Sequence, residues 1–186
     1  MVFWREYSLF IRQIMKTNFH IFSDIVTREV HETVVRLGFL RWEPEGLSEA
    51  MMGCFRRKRS SETHLFELWF DKYQRYRCGV GIGKIVGPTA LTIFKQERSV
   101  DELELSALPD RCVLNGNSLL GRGQFVAPLY CRLRGPIPSA KWIARRIAWK
   151  LDVIERWFES GEIGRGVSCF SLGYTEPRGI PPATLE

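Results

Sequence analysis

Between Cys54 and Val86 three alternating, strand-like runs follow one another with only short breaks, and this limits the chain to folds built on an antiparallel sheet. The runs are Cys54 to Arg59, His64 to Phe70 and Arg75 to Val86, separated by Ser60-Ser61-Glu62-Thr63 and Asp71-Lys72-Tyr73-Gln74. Side chains alternate across a strand, so His64, Phe66, Leu68 and Phe70 share one face and Leu65, Glu67 and Trp69 the other. In the third run Cys78, Val80 and Ile82 take one face, while Gly79, Gly81 and Gly83 leave the opposite face bare. A fourth strand is expected from Ala90 to Gln96, after a turn at Gly87-Pro88.

Helical periodicity flanks this sheet. Phe3, Tyr7, Phe10, Ile11 and Ile14 fall on one side of a helix, yet Met15-Lys16-Thr17-Asn18 also reads as a chain start. Residues 1–18 are therefore either an N-terminal extension or a helix, with Phe19 to Phe22 a short first strand. Ser23 or Asp24 can cap a helix whose Val26, Val30, Val34 and Leu37 form a stripe, with Gly38 placed for a left-handed C-cap. Ser99-x-x-Glu102 is a capping-box pattern opening a short helix with Leu103, Leu105 and Leu108. Asp110 to Pro138 is rich in Gly and Pro, with short strands around Val113 and from Phe125 to Arg132. Ser139 opens what reads as the longest helix, to about Ser160, with Gly161 at its end. The expected fold is α+β: an antiparallel sheet of about four to six strands, with an N-terminal helix and a long C-terminal helix packed on it. A chain of 186 residues suits one such domain, residues 19–172, and the Gly- and Pro-rich end, residues 173–186, reads as a flexible tail.

No stretch approaches the roughly 20 apolar residues of a membrane-spanning helix, and Arg5, Glu6 and Arg12 interrupt any secretory signal. The five cysteines, Cys54, Cys78, Cys112, Cys131 and Cys169, are scattered and odd in number. They read as reduced, mostly buried thiols, and the location as cytoplasmic, with no membrane partner.

Charge is uneven. Gly53 to Lys84 holds eight cations against Glu62, Glu67 and Asp71, which leaves the remainder of the chain near neutral at an overall +6. Arg56, Arg57, Lys58 and Arg59 are consecutive, so a strand displays cations on both faces; both faces cannot be buried, and the expectation is an edge or a protruding hairpin. Such a surface suits an acidic protein. Trp69, Tyr73 and Tyr76 interleave with Lys72, Arg75 and Arg77, which suits nucleic acid as the alternative, although no nucleic-acid motif accompanies them.

A second candidate face lies on the C-terminal helix. Ile143, Ile147, Leu151, Ile154 and Phe158 form an aliphatic stripe beside Trp142, Trp149, Val153 and Trp157, with Arg146 and Lys150 between the two. Either the helix is wedged in the core with its cations lying over indoles, or the tryptophans form a protein or homodimer contact. The glycine run Gly79-Val80-Gly81-Ile82-Gly83-Lys84 matches neither dinucleotide nor P-loop spacing. Its bare face accepts a closely packed element or, alternatively, forms a groove for a ligand. His20, His31 and His64 lack neighbours at catalytic or metal-ligand spacing, so no catalytic residue, metal or cofactor is assigned and a non-enzymatic role is expected.

In element order the chain resembles a family of small bacterial α+β domains of unknown function, some encoded near toxin–immunity or defence genes. The resemblance rests on Leu37-Gly38-Phe39, Cys54-Phe55-Arg56, Val80-Gly81-Ile82-Gly83 and Ile154-Glu155-Arg156-Trp157-Phe158, and spans roughly residues 20–160. It implies a bacterial context and an immunity- or antitoxin-like binding role, and it assigns no residue a function.

Overall fold

A stripe of apolar and small residues at helical spacing carries the N-terminal segment through one uninterrupted helix, α1, Val2–Val34. The computed structural model describes residues 2–43, 53–71, 76–116, 124–161 and 166–171, with side chains from Lys16 onward except that of Ser171. At 1.5 Å per residue α1 is about 50 Å long. Phe22, Val26, Val30 and Val34 are its buried line. Phe19–Phe22 is thus helical and not a strand: Phe22 packs edge-on against Phe70 with ring centroids 5.9 Å apart, which extends the same stripe one turn upstream. Ser23 caps nothing, because its hydroxyl donates back to the Phe19 and His20 carbonyls inside the helix. A 3-10 turn, Val35–Leu37, ends the segment at Gly38, whose φ of +83° is the left-handed C-cap expected there.

The strands follow in order: β1 Leu40–Trp42, β2 Gly53–Arg59, β3 Glu62–Phe70, β4 Arg77–Val86, β5 Thr89–Leu91, β6 Glu97–Ser99, β7 Asp110–Leu114, β8 Gln124–Val126 and β9 Val167–Ser171. Seven of them form one antiparallel sheet in the order β1-β2-β3-β4-β7-β9, with β8 also on the outer edge of β4. The expected strand Ala90–Gln96 is instead a separate small hairpin, β5 with β6. After it, Ser99 Oγ accepts from the Asp101 amide, and two 3-10 turns replace the short helix. Leu103, Leu105 and Leu108 are all buried.

Leu129–Arg132, expected to be extended, lies in α2, Leu129–Leu133. The C-terminal helix starts a turn earlier than Ser139, at Pro136, and is two helices: α3 Pro136–Ala148 and α4 Leu151–Ser160. Trp149 and Lys150 form the turn between them, so α1 and not this segment is the longest helix. Gly161 closes α4 at φ +71°. The predicted stripe Ile143, Ile147, Leu151, Ile154 and Phe158 is buried throughout, because the break leaves its periodicity in phase. With α1 it covers one sheet face over Phe55, Phe66, Leu68, Val80 and Ile82. Leu65, Ile85, Val100, Leu103, Leu105 and Leu108 form a smaller core on the other face.

Cys54, Cys78 and Cys131 are free and buried, but Cys112 and Cys169 are joined by a disulfide. They are register partners on β7 and β9, a pairing that scattered sequence positions cannot disclose. The bridge removes the cysteine argument for a cytoplasmic location, since disulfides persist in oxidising surroundings. Among the described residues no helix is long and apolar enough to cross a membrane. The tail expected at residues 173–186 lies outside the described residues.

Candidate functional site

The basic strand does not present Arg56 or Arg57 to solvent. β2 is paired along its length by β3 and at Cys54, Phe55 and Arg56 by β1, and the sheet faces above Arg56 and Arg57 are covered. Arg56 points to the face covered by residues 100–108. It donates to the Val100 carbonyl at 2.6 Å and to the Leu103 carbonyl, and its guanidinium lies 3.2 Å from the centre of the Trp42 ring. Burial is the main cause that draws its pKa below the usual arginine value.

Arg57 points the opposite way, beneath α4. It donates to the Leu37 carbonyl at 2.7 Å and to both Glu155 carboxylate oxygens at 2.9 Å each. His64 Nδ1 lies 2.9 Å from Arg57 Nη2, and arginine can only donate, so His64 carries its proton on Nε2 and gives it to Glu62 at 3.1 Å. Burial lowers the His64 pKa, and its ring stacks on Phe158 at 4.2 Å. The expectation that both faces cannot be buried is therefore corrected: internal carbonyls, a carboxylate and aromatic rings engage both guanidinium groups, and only the buried Arg56 Nε lacks an acceptor among them. Lys58 and Arg59 alone of the four are exposed, and they meet Asp101 at 2.8 Å and Glu155 at 3.8 Å. Arg77 is half-buried in β4, and Lys72, Tyr73 and Arg75 lie outside the described residues.

The glycine face of β4 is occupied from within. A Cβ at Gly79 would overlap the Trp69 indole, one at Gly81 would overlap Leu105, and one at Gly83 would overlap Leu105 too. Trp69, expected on a partner-binding surface, instead lies along the glycines from the neighbouring strand.

The second face divides. Arg146 sits over Trp142 and Trp149, 5.6 Å and 5.4 Å from their ring centres. Lys150 turns away to donate to the Asn115 carbonyl, and half-buried Trp157 packs edge-on against Phe158. The break after Ala148 is what separates these two from the rest.

One surface is only partly marked in the sequence reading, through Trp149 of the second face. Residues 111–151 contain Arg111, Arg122, Arg132, Arg134, Lys141, Arg145, Arg146 and Lys150, and no Asp or Glu. Apart from Arg146 and Lys150, a net charge near neutral outside the hairpin masks them, since acids elsewhere balance them. Along α3 the exposed line is Ile137, Lys141, Arg145 and Trp149, each four residues from the last, with Trp149 70% exposed. Beside it α2 exposes Leu129, Tyr130, Arg132 and Leu133, the last at 79%. Large apolar side chains and cations thus alternate over one outer surface.

Among the described residues no group of three His, Cys, Asp or Glu side chains is placed to hold a metal ion. The geometry defines an α+β domain with an antiparallel sheet, helices on one face, and α2 and α3 in a segment without Asp or Glu. Comparison with protein-family models, curated proteins and solved structures finds no match for this chain.

Proposed function

We propose that the chain is a non-catalytic binding protein that engages an acidic protein partner through the α2–α3 surface. The observation that carries this reading is the coincidence of exposed Leu129, Leu133, Ile137 and Trp149 with Arg132, Arg134, Lys141 and Arg145 in a segment without a single carboxylate. Tryptophan, tyrosine and arginine supply most of the free energy at protein interfaces, and the cations steer an acidic partner into register. The exposed aliphatic side chains favour a protein over nucleic acid, whose interfaces are dominated by contacts to charged phosphates. The basic hairpin is a poor docking site because Arg56 and Arg57 are engaged inside the fold. The resemblance to domains found near toxin–immunity genes is consistent with a protein partner.

The test is a tagged pull-down of the full chain from source lysate after nuclease treatment, compared with two charge-reversal variants. Arg132→Glu/Arg134→Glu/Arg145→Glu is expected to lose an acidic partner that Lys58→Glu/Arg59→Glu retains. Nucleic acid as the sole captured species, flotation with anionic vesicles in place of protein capture, or equal capture by both variants would count against the proposal.

A further inference from the structure

On the sheet face opposite α1, β4 has no side chains at Gly79, Gly81 and Gly83, and the chain above it fills only part of the hollow. Trp69 and Leu105 take up the space directly over the glycines. Beyond them, toward β7 and β9, a cavity of about 430 Å³ remains. Its lining includes Glu67, Trp69, Gly81, Arg111, Val113 and Phe170. That volume falls within the range of small-molecule sites, which are mostly apolar with a few placed polar groups.

The polar groups here are unusual for a surface hollow. Glu67 is 5% exposed, and its Oε1 accepts the Leu105 amide at 2.6 Å, which fixes the carboxyl in place. Arg111 stands in the same lining, with Nη1 donating to the Ser106 carbonyl at 3.3 Å. Arg56, the cation on the neighbouring strand, is held by backbone carbonyls and the Trp42 ring. Glu67 is therefore a buried acceptor at the edge of an apolar space, and a buried carboxyl is stabilised by any donor brought to it. The walls of the space add a second constraint. Trp69 and Phe170 bring aromatic rings to the lining beside Leu105 and Val113, and aromatic walls favour a planar ring that can stack or pack edge-on.

We infer that this cavity binds a flat, weakly basic nitrogen heteroaromatic, with its N–H donors on the Glu67 carboxyl and its ring against Trp69 and Phe170. The planar carboxyl meets adjacent ring and exocyclic N–H groups as a fork, the geometry that makes paired charge-assisted hydrogen bonds strong. Burial, opposed by the Leu105 amide, pushes the Glu67 carboxyl up to about 7. A base of similar strength shares the proton with it and avoids confining two full charges in an apolar space. The site is separate from the α2–α3 surface, and its occupancy does not depend on that surface having a partner.

The experiment is isothermal titration of the full chain with 2-aminobenzimidazole and with 2-methylbenzothiazole, a ring of similar size without N–H donors. The first is expected to bind about tenfold or more tightly than the second, the difference between a charge-assisted and an unmade hydrogen bond. Glu67→Gln, its fold checked by circular dichroism, should lower the affinity for 2-aminobenzimidazole about tenfold. Amide chemical shifts of the wild-type chain give an independent readout, expected to move at Glu67, Gly81 and Val113. No binding of 2-aminobenzimidazole, equal binding of the two rings, shifts confined to other residues, or an unchanged affinity in a folded Glu67→Gln chain would overturn the inference.

Discussion

Arg57 on β2 and Glu155 on α4 meet as a forked ion pair, both carboxylate oxygens 2.9 Å from one guanidinium nitrogen, across 98 residues of sequence. The pair ties the central sheet to the last helix, and the Arg57 side chain is only 4% exposed. Removing Glu155 leaves the Arg57 charge buried without its counter-charge, which costs about 3–5 kcal/mol, whereas removing Arg57 leaves Glu155 partly exposed and still 3.8 Å from Arg59. Glu155→Ala should therefore lower unfolding free energy by about that amount in a denaturant titration. A double-mutant cycle between Arg57→Ala and Glu155→Ala should show strong coupling; additive losses would mean that the two do not act as a pair.

Trp69 fills the space that the glycines leave, so the substitutions should interact. Gly79→Ala puts a methyl group into the indole and is expected to cost about 1–3 kcal/mol, as overpacking does. Shortening the opposing side chain, Trp69→Leu, should recover part of that loss in the double variant. If the double variant is no more stable than the sum of the single losses allows, the indole does not lie where the strand places it.

The Cys112–Cys169 bridge closes a loop with a sequence separation of 57 residues. Loop-closure entropy for such a span gives about 4 kcal/mol of stabilisation. Cys112→Ser/Cys169→Ser, or the wild-type chain under reducing conditions, should melt well below the oxidised protein. Equal melting temperatures with and without reductant would show that the bridge contributes nothing.

Glu67 makes stability depend on pH in a definite direction. Its ordinary carboxyl value of 4.5 is raised to about 7 in the fold, chiefly by burial. Between those values the folded chain holds a proton that the unfolded chain has released, so stability falls as pH rises through this window and levels off above it. The size is roughly 3 kcal/mol. Denaturant titrations across that range should show the decline in the wild type and its loss in Glu67→Gln.

Much of the architecture is legible in local pattern. The alternation from His64 to Phe70 assigns the two faces of β3 correctly, and Gly38 and Gly161 mark left-handed helix ends. Val26, Val30 and Val34 identify the buried line of α1. Where the signal is short, pattern misleads. Phe19–Phe22 is too brief to distinguish strand from helix, and only packing against Phe70 and Tyr76 resolves it. Apart from Trp149, the exposed α2–α3 surface is overlooked for a different reason: a net charge sums over the whole chain and hides an acid-free segment balanced by carboxylates elsewhere.

By itself, then, the sequence determines an antiparallel α+β domain, the faces of its strands, and a strand that is bare on one side, because each of these depends on spacing within a few residues. It does not determine what covers that bare side, which cysteines pair, or whether four consecutive cations face water. Those depend on groups brought from far along the chain: Trp69 and Leu105 for the glycines, Cys169 for Cys112, Glu155 and the Leu37 carbonyl for Arg57. A charged side chain is buried or exposed according to whether such partners reach it, and only the tertiary structure decides that.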